Sequence, residues 1–102
     1  MKIISDLCDY IDEELCDAEK YIDKALQVKE TYPALAQVFA TLSAEELKHM
    51  NVLHTEVVKL IQDYREKKGE PPAEMLAVYN YLHNKFIEHA KDIHIMQEMY
   101  HE

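Results

Sequence analysis

The sequence predicts an all-α fold: one domain over residues 1–102, built from three long antiparallel helices. Three observations predict it. Apolar residues recur at alternating spacings of four and three along nearly the whole chain, which is the period of a helix face and not the alternation of a strand. One Gly and three Pro leave few places to turn. Those four residues fall at Pro33 and at Gly69, Pro71 and Pro72, so three uninterrupted segments remain. A chain of this length can bury one modest core.

The elements follow in order. The first helix is expected over about residues 5–29, where Ser5 or Asp6 can cap its start. Pro33 disfavours helix at Tyr32 and suits the first turn of the next helix, which is expected over 33–68. Gly69 is placed to end that helix in a left-handed conformation. Pro71 and Pro72 open a third helix over 71–100. Both connections are short, which makes sequential neighbours antiparallel. The expected stripes are Leu7, Ile11, Glu14, Ala18, Tyr21, Ala25 and Val28 in the first helix. In the second they are Leu35, Phe39, Leu42, Glu46, His49, Leu53, Glu56 and Leu60. The third has Met75, Tyr79, Leu82, Phe86, His89, Ile93, Met96 and Tyr100. Apolar neighbours one residue on, such as Leu15, Ile22, Met50 and Val57, widen each stripe.

Composition narrows the function classes. A formal net charge of −9 opposes nucleic acid and anionic membrane as partners. No apolar run approaches the ~20 residues of a membrane span, and the start turns acidic too early for a secretory leader. Cys8 and Cys16 sit eight residues apart on one helix, ~12 Å along its axis, too far to bridge. They fit reduced thiols and a cytoplasmic setting.

The informative residues interrupt the stripes. Glu14, Glu46, His49 and His89 stand where Leu or Ile would be expected. Burying an unpaired carboxylate costs several kcal/mol unless something compensates, and a metal ion is one such partner. If the chain turns near residue 31, Glu14 lies 17 residues before the turn, with Glu46 and His49 lying 15 and 18 after it. All three therefore share one level of the hairpin. Glu46 and His49, at i and i+3, are neighbours on one helix face. Carboxylates with an imidazole suit iron or manganese, and zinc also accepts such donors. Glu14 could instead turn outward on an acidic helix, and His49 could be a hydrogen-bonded core histidine. Ser43-Ala44-Glu45-Glu46 has the letters of a capping box, but that would break a continuous stripe.

The segments DEELCDAEKYIDKAL and FATLSAEELKHMNVLH resemble the first helical hairpin of the ferritin-like superfamily, especially its rubrerythrin-type and short encapsulated-ferritin-type members. The resemblance covers roughly residues 6–61. It implies Glu14 as the first-helix ligand, Glu46 as the bridging ligand and His49 as the histidine ligand of a di-iron centre. It also implies Tyr21 as an aromatic beside the metal with a catalytic part, although Tyr21 suits core packing equally well. The complete family fold has four helices and a second Glu with a second Glu-x-x-His. Only three helices fit here, and Glu98-x-x-His101 falls off the stripe at a fraying end.

One chain therefore carries half of a ligand set, and a homodimer would complete both the site and the ferritin-like bundle. Counting also leaves Leu60, Ile61 and Tyr64 beyond the reach of the first helix, an apolar end suited to an interface. Reflecting the site level through the second turn reaches the third helix near residue 93. His89, one turn away, is then an additional ligand or a structural histidine, and His54, His83, His94 and His101 fall at surface or boundary positions. The expected function is iron binding with oxidation of Fe(II) by O2 or peroxide. A metal-free helical interaction module and a structural zinc bundle are the alternatives.

Overall fold

The computed structural model describes residues 2–102, and these form three α-helices with no strand. Helix α1 spans Lys2–Val28, α2 spans Pro33–Lys68 and α3 spans Ala73–Tyr100. The first helix starts three residues ahead of the expected cap, because Asp6 pairs with Lys2 one turn earlier at 2.9 Å rather than capping an end. Tyr32 adopts φ −133° and ψ 70° ahead of Pro33, breaking the chain between α1 and α2 as proline demands. Gly69 has the expected positive φ of 83°, but its ψ of −165° lies outside the left-handed helical region, in a conformation essentially confined to glycine. Its N–H still donates to the Arg65 carbonyl at 3.0 Å and closes α2. Arg65, Lys67 and Lys68 in the last turn complement the negative end of the helix dipole.

The 36 residues of α2 measure ~54 Å at ~1.5 Å per residue, and they set the long axis of a 56 × 18 × 17 Å rod. Lys29, just after α1, donates to the Tyr100 carbonyl at 2.6 Å, and the Tyr100 hydroxyl donates to Gln37 Oε1 at 3.3 Å. The ends of α1 and α3 thus meet the start of α2. The arrangement is up-down-up, with α2 antiparallel to both others. Helix α1 packs chiefly on α2 and secondarily on α3, while α2 and α3 touch least.

In α1 the core keeps Ile11, Ala18 and Ala25 of the expected stripe but shifts from Leu7, Glu14 and Tyr21 to Cys8, Leu15 and Ile22, and in α2 it lies one residue on throughout. In α1 its centre is Ile4, Cys8, Ile11, Leu15, Ala18, Ile22 and Ala25. In α2 it is Ala36, Ala40, Ser43, Met50, Val57 and Ile61. The α3 stripe stands as expected around Phe86, Ile93 and Tyr100. Small residues explain the rotation: Ala18, Ala25, Ala36 and Ser43 are all 0% exposed, and their size lets α1 and α2 approach closely, since side-chain bulk sets interaxial distance. Leu15 and Ile22 fill the centre of this seam at 0% exposure. Leu15→Ala would remove ~2–5 kcal/mol of transfer and cavity energy. Glu14, Tyr21, Phe39, Leu42 and Glu46 consequently sit on the flank of the seam, partly covered. The early start of α1 also lets it reach Ile61, which is buried and lines an apolar pocket of about 260 Å³ with Ile4 and Met75. That end is therefore less bare than the sequence implied.

Candidate metal centre

Helix geometry brings Glu14, Glu46 and His49 together. Their ligating atoms lie within 4.8 Å of one another, the one such grouping of three His, Cys, Asp or Glu side chains among the described residues. His49 Nδ1 is 3.4 Å from Glu14 Oε2 and 3.8 Å from Glu46 Oε2. The carboxylates are mostly covered, with side-chain exposures of 26% and 18%, whereas His49 is 59% exposed. The three form a rim, with oxygen donors inside and the imidazole toward solvent. The shared level follows from equal rise on two antiparallel helices. Ser43 holds it one turn away: its hydroxyl donates to the Ala18 carbonyl at 2.7 Å and accepts from Gln97 Nε2 at 3.0 Å. The capping-box reading of Ser43 fails accordingly, because α2 runs unbroken through it and the hydroxyl crosses to α1.

The electrostatics of the group are unfavourable as it stands. The hydrogen bond that only a protonated Glu46 could give Glu14 pushes the Glu46 carboxyl above its ordinary value, burial and the Glu14 charge push the same way, and His49 opposes them. Glu14 Oε2 is buried and accepts no hydrogen bond. His49 Nδ1 approaches it to 3.4 Å without forming a hydrogen bond. A buried acceptor without a donor and two carboxyls pressed together are what a cation would relieve. Two hard oxygens and one imidazole fit iron or manganese, and zinc less selectively.

The other expected site residues lie apart from this group. Tyr21, two turns along the same flank of α1, stacks on Phe39 with ring centroids 6.3 Å apart. His89 faces Glu19, with 3.6 Å between Nε2 and Oε1. Glu14 and Glu19 are five residues apart, so they point ~140° from one another around a helix of 3.6 residues per turn. His89 therefore occupies the opposite flank of α1 and does not join the three, despite its suitable height. Its seam position was legible, but its rotation toward α1 was not.

Two polar groups escaped the sequence reading. Gln97 completes the Ser43 bridge, and His54 and His83, half-buried at the boundary as expected, bond to each other at 2.9 Å. Their signal was available, since 43, 50, 54 and 57 continue the four-three spacing one residue beyond the chosen stripe. Both thiols are free, and burial pushes them above their ordinary values, Cys8 being the more enclosed. No helix among the described residues is long and apolar enough to cross a membrane. Comparison with protein-family models, with curated proteins and with solved structures finds no match.

Proposed function

We propose that this chain is a ferritin-like metal protein whose Glu14, Glu46 and His49 hold half of a carboxylate-bridged di-iron centre. The observation that carries this reading is the buried, unbonded Glu14 Oε2 beside the protonation-prone Glu46 and an accessible imidazole. Iron held there would supply redox chemistry toward O2 or peroxide, for iron handling or oxidant removal. The chain's own part would be to hold Glu46 as the shared carboxylate and to offer Glu14 and His49 as the further donors.

A second copy of the chain completes the set. Leu35 and Val38 are 46% and 53% exposed, and with Phe39, Leu42, Leu53 and Leu60 they extend the flank of α2 that carries Glu46, turned away from α3. An apolar flank with a polar centre suits a two-fold interface, in which Glu14, Glu46 and His49 appear twice. The exposure of His49 favours one rival, a metal-free interaction module in which the three residues only fix register.

Anaerobic Fe(II) titration of chelator-free protein, read with light scattering, tests the proposal. Two irons per two chains and a mass near twice 12.0 kDa are expected, with Glu46→Ala losing the second iron. A monomer that binds two irons would remove the half-site. Absence of Fe(II) binding would leave the interaction module.

A further inference from the structure

Independently of that reading, we propose that His54, His83 and Met50 form a second metal site, one that takes a single soft monovalent cation, Cu(I), in the cleft between α2 and α3. His54 Nε2 and His83 Nδ1 face each other at 2.9 Å across the two helices. Their rings are also nearly parallel, inclined by 24° with centroids 4.8 Å apart, so the pair is offset-stacked as well as hydrogen-bonded. Tyr79 stacks on His83 at 5.8 Å and fixes its orientation from the neighbouring turn of α3. Met50 is 8% exposed, one turn from His54 on the same face of α2, and lines with both imidazoles a pocket of about 230 Å³. The thioether and two imidazole nitrogens are all neutral donors.

Charge and donor type choose the cation. No carboxylate, thiol, lysine or arginine lines this pocket, and its walls are otherwise Asn51, Phe86, Ile87 and Ala90. The desolvation cost of an ion grows steeply with its charge, so neutral donors in apolar walls admit one positive charge far more readily than two. Zinc seeks a four-coordinate set, usually with anionic ligands, and no third His, Cys, Asp or Glu among the described residues joins this pair. Thioether with imidazole is instead the soft set that selects Cu(I), which accepts two or three ligands.

The proton balance is simple. Two neutral imidazoles carry two N–H protons, of which one lies in the shared hydrogen bond. Moving that proton to the outer nitrogen of its own ring frees both facing nitrogens, and no proton leaves. A metal held by two bonds of ~2 Å spaces the nitrogens up to ~4 Å apart, so the gap must widen from 2.9 Å. It lies at the helix pair with the least mutual packing, where such widening disturbs little.

The test is an anaerobic titration with Cu(I) against a chromogenic chelator, in a Cys8→Ala, Cys16→Ala background that removes the thiols. One Cu(I) per chain is expected. Met50→Leu, which keeps the packing volume, should weaken it by at least the ~10–100-fold seen for loss of a supporting group. His54→Gln with His83→Gln should abolish it, while Glu14→Gln should leave it unchanged. Binding that vanishes with the cysteines, or that survives the double glutamine change, overturns the proposal. Should the cysteine-free chain not fold, X-ray absorption of Cu(I)-loaded native protein decides: nitrogen and thioether neighbours support the site, and a thiolate shell overturns it.

Discussion

The Ser43 hydroxyl donates to the Ala18 carbonyl at 2.7 Å, and this bond lies one turn from the level at which Glu14 meets Glu46 and His49. Gln97 donates to the same hydroxyl at 3.0 Å, so all three helices are tied at one height.

Ser43→Ala should therefore destabilise the fold although it enlarges no cavity. It removes a buried bond and leaves Gln97 without its acceptor, a loss of ~1–3 kcal/mol. Urea unfolding should show a lower midpoint with an unchanged slope. An unchanged midpoint would mean that packing alone sets the register.

Glu46→Gln should stabilise the metal-free protein near neutral pH. A raised folded pKa means that the stabilising contribution of Glu46 is present below its ordinary value of 4.5 and is lost as pH rises through the folded value. Glutamine stays neutral throughout, so thermal unfolding at pH 7 should move upward, by ~4–8 °C for each kcal/mol gained. The same variant should lose Fe(II) affinity. A lower melting temperature would show that the carboxylate pair already satisfies itself.

His89→Ala should leave Fe(II) stoichiometry and affinity unchanged, because His89 faces Glu19 on the far flank of α1. Isothermal titration checks this directly. A marked loss of affinity would place His89 near the iron after all and would require α3 to rotate on binding.

Acidification should weaken the metal-free protein through His54. Burial first, and electrostatic repulsion from the neighbouring His83 second, hold its pKa below the ordinary 6.5. The folded state then binds this proton less well than the unfolded state. Its contribution is complete above pH 6.5 and is lost as pH falls from there through the folded value. His54→Gln should flatten the stability profile in that window, as measured by urea midpoints at stepped pH. A variant with the native slope would assign the acid sensitivity elsewhere.

The sequence by itself determined the three helices, their breaks at Pro33 and Gly69, and the common height of Glu14, Glu46 and His49. These are local or one-dimensional properties: a helix repeats every 3.6 residues, and equal rise on two antiparallel helices makes level a matter of counting from the turn. Rotation was decided only by the tertiary structure. Residues 7, 11, 14, 18, 21, 25 and 28 form one stripe of α1, and 4, 8, 11, 15, 18, 22 and 25 form the next, sharing 11, 18 and 25, so pattern alone permits either as the centre. The choice fell to volume, because Ala18, Ala25, Ala36, Ala40 and Ser43 allow a closer approach than Tyr21, Phe39 and Leu42 would. That one-residue turn moved the carboxylates from the core to its flank, sent His89 to the side of Glu19, and brought His54 against His83.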